Sequence, residues 1–220
     1  DKGRVIIDAT CPLVMKVHRE VVLMHEKGLL VIMVGHKGHA EVEGTMGQIE
    51  GGIVCVSSVE EVRKLSFPAG VKTGFVTQTT LSIDETQEIV TELRLRFPGI
   101  ESMGEADICY ATHSRQAAVR DLAGKADLFL VIGSKTSSNS NRLRDLAAQT
   151  CEEAYLIDSC ADIDLAWLEG KATVAVTAGA SAPEHLVQET VDFLKRHGAD
   201  SVLTMPGVPD TIHFPLPTMI

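Results

Sequence analysis

A chain of 220 residues leaves room for one large domain or two small ones. Its 45% hydrophobic and 23% charged residues are globular proportions that exclude disorder. No apolar run approaches the roughly 18 residues of a membrane-spanning helix, and a net charge of −10 with 4% aromatics argues against non-specific nucleic-acid binding and against a base-stacking surface.

In chain order, Val5–Ile7 reads as a strand and Pro12–Lys27 as a helix. Leu29–Val34 is a short apolar strand, and the polar run Gly35–Thr45 after it reads as flexible turns. A strand at Gly52–Val56, a helix after Ser57-Ser58, a strand at Gly74–Thr77 and a helix at Ile83–Phe97 follow. Beyond Phe97-Pro98-Gly99 come a helix at Ser114–Leu122, a strand at Leu128–Ile132, a helix at Arg142–Gln149 and a strand at Ala154–Ile157. A helix after Asp158-Ser159, a strand at Ala172–Thr177 and a helix at His185–His197 complete the series. Short buried strands alternating with helices predict an α/β fold with parallel sheets. The last twenty residues carry Pro206, Pro209, Pro215 and Pro217, and are expected to form an extended arm with Ile212–Phe214 pairing on a sheet edge.

The chain also repeats itself. Cys11 to Gly35 and Cys109 to Gly133 each span 24 positions, and in each case a cysteine opens a helix and a strand runs into the glycine. Phe75–Thr79 and Ala175–Gly179 stand at matching places further on. The reading is therefore two pseudo-repeated three-layer α/β domains, 1–100 and 101–200, plus the arm at 201–220. Shared core packing explains repeated apolar strands, but not repeated polar residues just past them. Ligands of open parallel sheets bind beyond the carboxyl ends of the strands, so the two halves are expected to face one central site.

The residues at those ends carry chemistry. Cys11 and Cys109 each precede a helix, where the dipole favours a thiolate, which suits a metal ligand or a nucleophile. Gly35–Thr45 holds two histidines and two glutamates, able to bind an anion and transfer a proton. Ser134–Arg142 offers hydroxyls, amides and free backbone N–H groups before a helix, a phosphate site without a Walker pattern. Gln78-Thr79-Thr80 and Thr177–Pro183 add two further small polar turns. Cys55, Cys151 and Cys160 read as ordinary packing residues, and His18, His25, His185 and His197 as surface residues. Five cysteines without a CxxC pair imply a reducing, cytoplasmic setting. The absence of an initial methionine suggests processing or a longer polypeptide.

DATCPLV around Cys11, GHKGHAEVEGT, TQTTLS, DICYAT, SKTSSNSNRL and TAGASAP, in that order, resemble the 4-hydroxy-3-methylbut-2-enyl diphosphate reductase family of the methylerythritol phosphate route to isoprenoids. The resemblance implies reductive removal of an allylic hydroxyl at a [4Fe–4S] cluster, giving isopentenyl and dimethylallyl diphosphate. It implies Cys11 and Cys109 as cluster ligands, Glu41 as proton donor and Thr79 as the residue positioning the substrate hydroxyl. His39, Thr79, Ser137, Ser138, Asn139 and Ser181 would bind substrate, the last four and His39 at its diphosphate. It further implies an external ferredoxin- or flavodoxin-like electron donor, no nucleic-acid or membrane partner, and a bacterial cytoplasm or plastid stroma. The family's N-terminal domain, with a third cluster cysteine and two more histidines, has no counterpart here, so the 220 residues read as its second and third domains plus the arm. A diphosphate-binding module without redox activity and a purely structural α/β repeat are the competing readings.

Overall fold

The computed structural model describes Val5, residues 7–104, 107–122, 124–207 and Phe214. Two compact units make up the chain, one running to Cys109 and the other beginning at Tyr110.

The first unit contains helices α1 (Pro12–Glu26), α2 (Ala40–Met46), α3 (Val59–Lys64) and α4 (Ile83–Arg96), with strands β1 (Leu30–Val34), β2 (Ile53–Val56) and β3 (Thr73–Thr77). The strands form a parallel sheet of order β2-β1-β3. Central β1 is the run LVIMV, with no polar residue because helices cover both of its faces. Ile32 and Val34 pack with Val62 of α3 and Ile89, Val90 and Leu93 of α4. Val31 and Met33 point the other way, onto Val17, Val21 and Met24 of α1 and Val42 of α2. Each such side chain contributes about 1.5–3 kcal/mol on burial.

The second unit repeats the plan. Helices α5 (Tyr110–Asp121), α6 (Ser138–Ala148) and α7 (Glu184–Arg196) flank strands β4 (Leu128–Ile132), β5 (Ala154–Ile157) and β6 (Val174–Ala178), in the parallel order β5-β4-β6. Phe129 and Val131 pack with Val119, Leu143 and Ala147 on the α5/α6 face. Leu128, Leu130 and Ile132 pack with Ile163 and Leu194 on the other. Each unit is thus helix, sheet, helix.

Several expectations need correction. The Gly35–Thr45 run is not a flexible turn throughout: its second half is α2, capped by His39 and carrying Glu41 and Glu43 in the first turn. Only Val42 and Thr45 of α2 are buried, so the helical period is too faint to read. Helix α6 starts at Ser138 rather than Arg142, because Ser137 caps it by accepting from the Ser140 N–H. Helix α5 starts at Tyr110 rather than Ser114. The helix expected after Asp158-Ser159 is instead two 3₁₀ turns, Cys160–Asp162 and Leu165–Leu168, the first closed by a Ser159–Asp162 capping box. His18 is not a surface residue: its Nε2 is buried without a partner, and burial lowers its pKa. The expected strand Val5–Ile7 includes Ile6, and the expected pairing at Ile212–Phe214 includes Ile212 and His213; these three lie outside the described residues. Residues 201–207 have no regular secondary structure. Among the described residues, no helix is long and apolar enough to cross a membrane.

Candidate active site

In the first unit, the chain leaves β1 through Gly35, where a Cβ would lie 2.6 Å from Val42 Cγ2 and 3.1 Å from Gln78 Oε1. Only glycine lets the strand end lie this close to α2. Gln78 is fully buried; its Oε1 accepts from the His36 N–H at 3.0 Å and its Nε2 donates to Thr80 Oγ1 at 3.0 Å. The ends of β1 and β3 are thereby tied together.

Helix α2 begins on that platform. His39 Nδ1 accepts from the Glu41 N–H at 3.2 Å, and Glu41 Oε1 accepts from the Thr79 N–H at 2.7 Å. His39, Glu41 and Thr79 are therefore one hydrogen-bonded group. Burial pushes the Glu41 carboxyl above the ordinary glutamate range; bonds from Thr79 and the neighbouring His39 oppose this, while the charge of Asp107 adds to it. A carboxyl raised in this way holds its proton closer to neutrality and can act as a general acid.

Cys11 is the exposed N-cap of α1, and its side chain makes no capping bond. Cys109 is partly buried immediately before α5, and its N–H donates to the Thr79 carbonyl at 3.0 Å. Neither forms a disulfide, and the same holds for Cys55, Cys151 and Cys160. As a donor set for a [4Fe–4S] cluster held by three thiolates, Cys11 and Cys109 are incomplete. Among the described residues no group of three His, Cys, Asp or Glu side chains is placed to hold a metal ion.

In the second unit the expected residues gather at the start of α6. Ser137 Oγ accepts from the Ser140 N–H at 3.3 Å and from Ser140 Oγ at 3.0 Å, and Ser138 and Asn139 form the first turn. Asn139 is 5% exposed, yet neither its Oδ1 nor its Nδ2 has a hydrogen-bond partner. A buried amide left wholly unpaired costs on the order of 1–3 kcal/mol per group, so a ligand is the natural partner for it. A Cβ on Gly179 would run into Ser140 Oγ and come within 3.7 Å of Asn139 Nδ2, which brings the turn after β6 against this cradle. Ser181 is exposed in that turn.

The structure thus joins His39, Glu41 and Thr79 directly, and it joins Ser137, Ser138 and Asn139 as one helix turn. Sequence reading overlooked Gln78 as a tie, Ser140 as the filler between Gly133 and Gly179, and Asp107 with Lys16, described below. The signal for Gln78 was present, since a glutamine between two threonines at a strand end must find partners.

These features define a two-unit parallel α/β protein that carries a buried carboxyl at the strand ends of its first unit and hydroxyls with a buried amide at those of its second. The chain belongs to the LytB protein family, whose sequence profile matches residues 1–195. It is 52% identical over 218 residues to the 4-hydroxy-3-methylbut-2-enyl diphosphate reductase of Anaplasma marginale, covering 99% of this chain and 64% of the relative. It is 51% identical over 216 residues to the reductase of the same name from Bordetella pertussis, covering 98% and 66%. The chain therefore spans just under two thirds of the length of these relatives. The structure of the E-1-hydroxy-2-methyl-but-2-enyl-4-diphosphate reductase from Plasmodium falciparum superposes with a TM-score of 0.82 at 39% identity, over 86% of this chain and 59% of that one.

Proposed function

We propose that this chain carries the substrate-binding and proton-donating parts of a reductase acting on (E)-4-hydroxy-3-methylbut-2-enyl diphosphate. In the overall reaction two electrons and two protons remove the allylic hydroxyl as water and leave isopentenyl or dimethylallyl diphosphate. The electrons come from an external ferredoxin- or flavodoxin-like donor. In this reading Glu41 gives a proton to the departing hydroxyl, and Thr79 orients that hydroxyl. His39, Ser137, Ser138, Asn139 and Ser181 hold the diphosphate. The residues assigned to the substrate fall in 1–100 and in 101–200, with the arm at 201–220 outside the chemistry. Cys11 and Cys109 are assigned as two thiolate ligands of a [4Fe–4S] cluster whose third ligand lies outside the described residues. The setting is a bacterial cytoplasm or plastid stroma.

Two observations, each within its own unit, support this reading: a raised, backbone-held carboxyl at Glu41 and an unpartnered buried amide at Asn139. One is suited to proton delivery and the other to an oxyanion. Calorimetric titration with the allylic diphosphate tests it: saturable binding is expected, weakened about 10- to 100-fold by Asn139→Ala, the loss of one or two hydrogen bonds to a charged group. No binding at millimolar ligand would overturn it. The incomplete thiol set favours one second reading, a diphosphate-binding module without redox activity. Cys11→Ser separates the two, since a binding module keeps its affinity while a reductase completed by its third ligand loses turnover.

A further inference from the structure

Asp107, two residues before Cys109, is the hub of a network that the proposed chemistry leaves unused. Its Oδ2 accepts from the Thr77 N–H at 3.2 Å, and its own N–H donates to Thr77 Oγ1 at 2.8 Å. The Cys109 N–H then donates to the Thr79 carbonyl, so residues 107–109 run along the outer edge of β3 and its continuation. Lys16 of α1 closes the other side, with Nζ 2.8 Å from Asp107 Oδ1 and 2.8 Å from Glu20 Oε1. The side chains of Asp107 and Glu20 are 8% and 9% exposed, and Glu20 Oε2 has no partner. One lysine thus serves two enclosed carboxylates, an arrangement costly to assemble for stability alone.

The network ends at the acid. Thr77, Gln78 and Thr79 are all buried, and the Thr79 N–H is the group that binds Glu41 Oε1. We propose that Asp107 is a positioning residue for Glu41: it clamps the end of β3 between α1 and the Cys109 segment, and with it the one backbone donor that holds the Glu41 carboxyl. The ionisable groups acting on Glu41 are His39 at the start of α2 and Asp107 from the segment beyond β3, the first favouring the carboxylate and the second opposing it. The functional weight of this inference rests on Glu41 being the proton donor; the geometry does not.

The test compares two variants that break the same ion pair from opposite sides, Asp107→Asn and Lys16→Met. In each, the protonated Glu41 C=O stretch is titrated by infrared difference spectroscopy against Glu41→Gln. Loosening the clamp withdraws the Thr79 N–H, a bond that favours the carboxylate, so both variants are expected to raise the Glu41 titration midpoint, whereas loss of the Asp107 charge alone would lower it in Asp107→Asn. A midpoint lowered or unchanged in either variant overturns the proposal. Thermal melts confirm that each variant is folded. Because the readout is the carboxyl itself, it can succeed even if Glu41→Gln leaves turnover of the complete reductase intact, an outcome that would overturn the proton-donor role alone.

Discussion

The two units use the same frame to hold opposite chemistry. His39 caps α2 and Ser137 caps α6; two residues after each cap stand Glu41, a carboxyl, and Asn139, an amide one methylene shorter. The Gln78 N–H donates to the Val34 carbonyl just as the Gly179 N–H donates to the Ile132 carbonyl, so these two residues are equivalent. In the first unit a large side chain at Gln78 ties the strand ends and the neighbouring Thr79 N–H satisfies Glu41. In the second there is no side chain at Gly179, Ser140 fills the gap, and Asn139 stays unpaired. One copy satisfies its carboxyl internally; the other leaves a buried amide open. The backbone frame is the same, and the side chains at two positions per copy make the difference.

The comparison is broken most severely at Gly179. Gly179→Ala forces a Cβ into Ser140 Oγ and is expected to cost about 2–3 kcal/mol, an overpacking penalty, seen as a melting temperature lower by roughly 4–12 °C. Adding Ser140→Ala should recover part of it, because the remaining Cβ–Cβ approach is 3.3 Å. If Gly179→Ala melts like the parent, the tight packing of the second cradle is disproved.

Asn139→Ala sharpens the contrast between satisfied and open copies. Since Asn139 makes no hydrogen bond without ligand, its removal should change stability by less than about 1 kcal/mol while weakening pyrophosphate binding about tenfold or more by calorimetry. Equal losses in both would mean the amide is structural after all.

Glu41→Gln converts the first copy toward the second. The folded-state pKa of Glu41 is raised, so the wild-type carboxyl favours the fold below the ordinary glutamate range, and that advantage is lost as pH rises through the raised value. The glutamine variant should therefore be the more stable at neutral pH, with the difference closing on acidification; chemical denaturation at two pH values decides it. The smallest effect is expected at Cys160, where Cys160→Ala should leave stability and iron uptake nearly unchanged. By contrast, Cys109→Ser should abolish whatever iron and acid-labile sulfide the chain takes up under anaerobic reconstitution.

Most of the sheet was legible from sequence because its strands are uninterrupted apolar runs: Leu128–Ile132 and Ala154–Ile157 were placed to the residue. Helices α2 and α6 were harder, since their opening turns are made of the polar residues that serve the site, and caps such as His39 and Ser137 look like loop. The cysteine-to-glycine repeat exposed the strand ends and hence the candidate residues. What it could not expose was Asp107, whose partners Lys16 and Thr77 lie 91 and 30 positions away. Only folding brings those three side chains to one point.

The cap on α2 has a consequence for how an anion is held. Because His39 Nδ1 accepts from the Glu41 N–H, Nε2 is the ring nitrogen left to donate to an anion. In the second unit the serine hydroxyls and the Asn139 amide likewise offer oriented dipoles rather than ions. Such a cradle needs no counter-charge, which suits a chain of net charge −10. Its affinity for a diphosphate should then vary only weakly with ionic strength, unlike that of a lysine- or arginine-lined pocket.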